Sequence, residues 1–238
     1  MLNEFIFGGL PSSHFGMIIT GAGVYNTPAR KVEKVSIDGR NGDLIIEGDE
    51  ENAAFENVTV IYPAVIYKQY KQNRKNLSAA LSSMIGYQRL EDTIEPDRFR
   101  LGAFRAISNP KMPTHLDAGT FQIAFDCKPQ WYLKSGEQEI ALNSSGAIFN
   151  PTHFYSKPLI LVTGNGTIGI NSQTITITNN ASSTITIDSE TENCYTGATF
   201  KNSNVSFSDN KYPRLRPWEN NITLSGVTIK VTPRWFEI

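Results

Sequence analysis

Thr174-Ile175-Thr176-Ile177 and, after a short polar stretch, Thr184-Ile185-Thr186-Ile187 alternate polar and apolar side chains residue by residue. Successive side chains of a β-strand point to opposite faces, so the alternation makes one face apolar and the other wet. Ile222-Thr223-Leu224 and Val227-Thr228-Ile229-Lys230-Val231 repeat the pattern. Gly164-Asn165-Gly166, Asn179-Asn180 and Asn220-Asn221 fall between such runs and read as turns. Residues 134–238 therefore read as an antiparallel β-sandwich.

Upstream the texture changes. Gly119 to Lys128 alternates Phe121, Ile123 and Phe125 against Gln122 and Ala124, and Pro129 closes the run because it cannot donate to a central ladder. The domain boundary is expected just beyond, giving domains 1–133 and 134–238. Strands are also expected at Phe99 to Asn109, at Tyr87 to Asp92, and at Asn57 to Tyr62 and Ala64 to Tyr67, with Pro63 breaking the last pair. Between residues 67 and 84 the period becomes helical. Tyr70, Leu77, Ala80, Leu81, Met84 and Ile85 fall largely on one face, and Gly86 supplies a left-handed stop. Asn41-Gly42 is a strong hairpin signal, since both residues tolerate the positive φ of a tight primed turn. It places strands at Arg30 to Asp38 and Leu44 to Glu47. The fold class is mainly β, as two sandwich-type domains, the first carrying a single helix and a hairpin arm.

Composition narrows the function. With 39% hydrophobic and 19% charged residues and a mean hydropathy of -0.28, the chain has the profile of a folded soluble protein. Its 22 Lys and Arg against 23 Asp and Glu leave a net charge of -1, balanced also between the two halves. Nucleic-acid binding rests on clustered cations that displace counterions, so such a surface is not expected. The opening Met1-Leu2-Asn3-Glu4-Phe5 lacks a basic region followed by an apolar one, and no apolar run approaches about 18 residues, so neither export nor a membrane anchor is expected. Cys127 and Cys194 are expected to be buried free thiols rather than a bridge.

Catalytic signatures are sparse. His14, His115 and His153 stand without a second ligand at metal spacing, so no metal site or cofactor is expected. Glu91 with Asp92, or Glu137 with Glu139, could be drawn as an acid and base pair, yet adjacent acids usually form a solvated edge. Gly21-Ala22-Gly23 lacks the third glycine of a dinucleotide fingerprint, and Gly164-Asn165-Gly166 reads as a hairpin rather than a phosphate cradle. Tyr212, Trp218, Trp235 and Phe236 are interleaved with Arg214, Arg216 and Arg234. Core packing is the plain reading of at least Trp218. Exposed, such residues would stack on sugar rings or anchor a protein interface.

The order of these features resembles the distal tail proteins of siphophages and related prophages. The similarity is carried by Phe5-Ile6-Phe7-Gly8-Gly9 with Ser12, Ser13 and Phe15-Gly16, by Ile37-Asp38-Gly39-Arg40-Asn41-Gly42-Asp43-Leu44, by Gly86 to Asp92 and by Phe121 to Gln130. Asn150-Pro151, Ile160 to Gly166, Ile187-Asp188-Ser189-Glu190 and Tyr212-Pro213-Arg214-Leu215 leading to Asn220-Asn221-Ile222 extend it to the second half. Arg216-Pro217-Trp218-Glu219 departs from it, because a glycine is expected before the Asn.

The resemblance implies a structural virion protein of the tail tip rather than an enzyme. It implies a homo-hexameric ring built by the N-terminal domain, with a galectin-like C-terminal sandwich projecting outward. The ring would join the tail tube protein to a tail-associated lysin or tail fibre protein, and pass the tape measure protein and DNA. Gly39, Arg40, Asn41, Gly42 and Asp43 are the expected oligomer-interface residues, as an arm reaching a neighbouring subunit. A carbohydrate-binding module for host-surface recognition is the alternative.

Overall fold

In the computed structural model, residues 3–46, 54–108, 117–178 and 184–238 are described, and strands dominate them. The chain divides into two units, residues 1–131 with Ile238, and residues 132–237. Glu47, Asn109, His115 and Asn179-Asn180 lie outside the described residues.

Unit 1 opens with β1 (Phe5–Phe7), β2 (Leu10–Pro11), β3 (Met17–Ile19), β4 (Val24–Tyr25), β5 (Glu33–Val35), β6 (Leu44–Ile46) and β7 (Val58–Ile66). It continues with α1 (Tyr70–Ser83), β8 (Gln88–Asp92), β9 (Arg98–Ile107) and β10 (Gly119–Cys127). The main sheet has the order β2-β1-β8-β9-β10-β7-β3, with β4 also on β7. As the alternation requires, Phe121, Ile123 and Phe125 of β10 are buried while Gln122 is exposed. Phe125 is the hub of this core, with ring centroids 4.8 Å from Phe7, 5.2 Å from Phe5 and 6.1 Å from both Tyr62 and Phe104. A carboxylate fastens the same core: Asp92 accepts the hydroxyls of Tyr62 (2.6 Å) and Tyr25 (2.8 Å) and the backbone N–H groups of Ile94 and Glu95.

The helix, the one α-helix among the described residues, buries Tyr70, Leu77 and Leu81 against this core. It starts later than the apolar pattern suggests, because Gln69 adopts a left-handed φ of 51°. Its own first turn carries no acid, and the free N–H groups of Gln69 and Tyr70 are instead accepted by Asp117, ahead of β10. At the other end Met84 is already extended, so Gly86 (φ 74°) lies beyond the helix and Ile85 is 88% exposed rather than on its apolar face.

Pro63 does not break its strand. β7 runs unbroken from Val58 to Ile66, with Pro63 opposite Gln122 of β10. On its other edge the Pro63 carbonyl accepts the Thr20 N–H, and N and O of one strand residue point the same way. The missing donor therefore faces Thr20, just past the end of β3, and not β10, so the ladder between β7 and β10 loses no bond to it.

Unit 2 follows β11 (Trp131–Leu133), with β12 (Ile140–Leu142), β13 (Gly146–Asn150), β14 (Leu159–Ile170), β15 (Gln173–Ile177) and β16 (Ile185–Asp188). It ends with β17 (Asn193–Thr196), β18 (Thr199–Phe200), β19 (Val205–Phe207), β20 (Trp218–Thr232) and β21 (Phe236–Glu237). The order is β12-β20-β14-β16-β17-β18, with β13 on β20, β15 on β14 and β19 on β15. The Thr-Ile runs form β15 and β16, and Ile175, Ile177, Ile185 and Ile187 are all buried.

Two expected turns in this unit are strand. Gly164-Asn165-Gly166 lies within β14, which pairs with β20 on either side of it, the register shifting between Gly164 and Thr167. It is a bulge, opposed by Gly226 (φ 74°) of β20, and a methyl on Gly166 would collide with the Ser225 carbonyl. Asn220-Asn221 likewise lies inside β20, pairing with Ile148 and Ala147 of β13.

Cys127 and Cys194 are both buried free thiols, one in each unit, and burial pushes the Cys127 thiol up to about 12. No helix among the described residues is long and apolar enough to cross a membrane.

Candidate functional site

The hairpin arm is where sequence and structure meet most directly. β5 and β6 form their own two-stranded sheet, pairing Glu33 with Ile46, Lys34 with Ile45 and Val35 with Leu44. At its root Arg30 and Phe55 bridge, with the Lys31 N–H donating to Ala54 and the Glu56 N–H to Ala29. Gly39, Arg40, Asn41, Gly42 and Asp43 are brought together at its tip, all exposed.

The tip is not the two-residue turn that Asn41-Gly42 suggests. The strands stop at Val35 and Leu44, so residues 36–43 form a wider loop. Within it the Arg40 N–H donates to the Ile37 carbonyl, and the positive φ values fall on Gly39 and Gly42, both 80°, not on Asn41. A primed turn needs Asn41 in that region too.

The larger signal lies beside these residues. Every residue from Glu33 to Ile46 is exposed, among them Val35, Ile37, Leu44, Ile45 (55%) and Ile46 (50%). Reading the second run alone would have found it, because Leu44, Ile45 and Ile46 put an aliphatic side chain on each face in turn, opposite Val35, Lys34 and Glu33.

The C-terminal aromatics and arginines are dispersed. Trp235 is core, Tyr212 packs on Phe207 at 4.6 Å, and Phe236 lies between Tyr132 and Phe154. Arg234 Nη1 bonds the Asp188 carboxylate at 2.6 Å. Burial pushes the Asp188 carboxyl up, but the Arg234 hydrogen bond and charge and the Glu190 N–H outweigh it and hold it below the ordinary range. Trp218 corrects its plain reading: it is half exposed, not core. It has φ 70° and stands beside Phe149 and His153. The signal was that its segment, Arg216 to Glu219, departs from the expected pattern by lacking a glycine before the Asn.

Three of the four acids in the two candidate pairs are engaged by named partners. Glu91 pairs with Arg89, Asp92 is consumed by its four donors, and Glu139 meets Lys230 at 2.8 Å. His14 is exposed beside Phe15. Among the described residues no group of three or more His, Cys, Asp or Glu could hold a metal ion.

This fold has a solved counterpart. The chain superposes on the SPP1 Dit (gp 19.1) protein, described as a paradigm of the hub adsorption apparatus in phages infecting Gram-positive bacteria, with a TM-score of 0.74. The match covers 100% of both chains at 11% identity. Two structures of the phage P2 baseplate in its activated conformation also match. The one with Ca has a TM-score of 0.48 and the one with Sr 0.49, each at 10% identity over 97% of this chain and 98% of the other. No protein-family model and no curated protein sequence matches. The SPP1 match establishes a shared fold from end to end: the chain has the fold that the resemblance in its sequence implied.

Proposed function

We propose that this chain is a non-catalytic structural subunit of a siphophage tail tip, assembling into a hexameric ring hub between the tail tube and the adsorption apparatus. The observation that carries this reading is the arm. An isolated two-stranded ribbon is at best marginally stable in water, and exposed aliphatic strands adhere to other surfaces. Val35, Leu44, Ile45 and Ile46 therefore call for a covering surface. A closed ring supplies one, since each subunit must offer two unlike patches that mate around the axis. The arm, with Gly39, Arg40, Asn41, Gly42 and Asp43 at its tip, is one of them. The whole-length likeness to a phage hub protein supports the same assignment.

On this reading residues 1–133 build the ring and residues 134–238 form an outward, galectin-like sandwich. The neighbours are the tail tube protein, the tape measure protein and a tail-associated lysin or fibre protein. A net charge of -1 suits a lumen through which DNA passes, because a strongly cationic wall would retain phosphate.

Light scattering after gel filtration tests the ring. The expected mass is roughly six or twelve times that of one chain. Leu44→Asp with Ile46→Asp is expected to leave 26.4 kDa monomers with an unchanged circular dichroism spectrum. A native protein that stays monomeric at micromolar concentration, or a variant that still assembles, overturns the reading.

A further inference from the structure

Trp218 occupies a backbone position suited to glycine. Its φ of 70° lies in the left-handed region that bulky side chains avoid. In a regular antiparallel ladder, paired residues share a face, and the partner of Trp218 is the fully buried Asn150. The positive φ turns Trp218 outward instead, leaving it 50% exposed beside Phe149, itself 60% exposed. The Phe149 ring centroid is 6.0 Å from that of Trp218, and His153 stands edge-on at 5.0 Å.

What holds this arrangement is a buried polar floor. Asn150 donates through Nδ2 to the carbonyls of Phe154 (2.9 Å) and Leu215 (3.3 Å), while its Oδ1 accepts the N–H and hydroxyl of Thr152. Asn220 Oδ1 accepts the Arg216 N–H (2.9 Å) and Asn171 Nδ2 (3.0 Å), and its Nδ2 donates to the carbonyls of Arg216 and Trp218. Asn150, Thr152 and Asn220 are fully buried. Strain maintained by over-determined surroundings marks a place where a side chain is wanted for something other than packing.

We propose that Trp218, Phe149 and His153 form a stacking platform for one or two pyranose rings of a surface saccharide. An aromatic face is electron-rich, and the C–H face of a sugar ring presents partial positive charge to it. Sugar hydroxyls then find exposed Glu219, the register partner of Phe149, and exposed Arg216 alongside. Size decides the occupant. Two half-open rings offer about 200 Å², against about 800 Å² per partner in an ordinary protein interface. The inference is independent of the ring proposal.

The test titrates the full-length protein with oligosaccharides of glucose, galactose and N-acetylglucosamine, following tryptophan emission and acrylamide quenching. Sugar is expected to blue-shift the emission and shield Trp218 from acrylamide. With binding to these variants read by titration calorimetry, since they lack the reporter, Trp218→Ala and Trp218→Gly, the latter at ease with the same backbone, should weaken it at least about tenfold, while Trp218→Phe retains it. The proposal fails if none of these sugars shifts the native emission, or if Trp218→Ala binds them in the calorimeter as tightly as the native protein. Shielding that rises with protein concentration without sugar would also overturn it, by showing that a second copy covers the ring.

Discussion

The two units solve the same problem, burying one face of antiparallel strands, with different side chains. Unit 1 packs rings: Phe5, Phe7, Tyr62, Phe121 and Phe125, closed by a helix. Unit 2 packs branched aliphatics, with isoleucine recurring along β14, β15, β16 and β20 around one buried Trp235. Their polar fastenings differ too. Asp92 is held by neutral phenols and backbone N–H groups, Asp188 by a guanidinium. A ring core concentrates its cohesion in a few large residues, whereas an isoleucine core spreads it over many small ones.

Substitutions can break or sharpen that contrast. Phe125→Ala, which removes the hub of the ring cluster, is expected to cost about 4 kcal/mol. Hydrogen exchange should then accelerate across β7, β9 and β10 and leave β14 and β20 protected. Arg234→Ala strands a nearly buried carboxylate and should cost about 2 to 3 kcal/mol, read in the denaturant midpoint of unit 2 from the fluorescence of Trp235.

That second variant also carries a pH signature. The folded Asp188 is held below its ordinary value of 3.8, so its contribution is complete above that value and fades as the pH falls through the lower, folded one. Acid titration of the native protein should show this loss in unit 2, and Arg234→Ala should flatten it. Tyr62→Phe takes one donor from Asp92 and is expected to cost about 1.5 kcal/mol. Burial and the charge of Asp92 hold the Tyr62 phenol neutral well above its ordinary range. Its contribution is thus present below pH 10 and is lost on alkaline titration, a loss the Phe variant should lack. Ile168→Val, one methylene from the distributed core, should cost only about 1 kcal/mol, measured as a small shift in thermal midpoint.

What was legible in the sequence follows the same divide. Period-two runs such as Thr174 to Ile177 declare strands because the signal is local and the Cβ-branched residues suit a pleated surface. Glycine and proline announce a local backbone need but not its use. Gly164 and Gly166 permit a turn or a bulge, and Gly226 on the opposite strand makes them a bulge. Pro63 survives mid-strand because its missing donor faces the end of β3, distant in sequence, and not β10. The helix start was set by Asp117, far along the chain. The arm is legible as a hairpin from the glycines at its tip, whereas the exposure of Leu44, Ile45 and Ile46 depends on the absence of a covering sheet among the described residues, which no local pattern states. Core packing is the ordinary fate of tryptophan, so beyond the missing glycine of its segment no local pattern signals the exposure and the positive φ of Trp218.

The bulge in the middle of β14 has a mechanical side. Before it β14 pairs with β16, after it with β15, and throughout with β20. One continuous pair of long strands thus stitches together every sheet neighbour of the unit's centre. A pull along that seam loads all its ladder bonds in shear at once, whereas the short outer strands can be peeled away pair by pair. Stretched from its ends, unit 2 is not loaded that way. Once β12 and β13 have come away, the force enters at Leu159 and Thr232, partners at one end of the seam. The seam should then unzip before the strands enclosed between them, β15 to β19, feel the load.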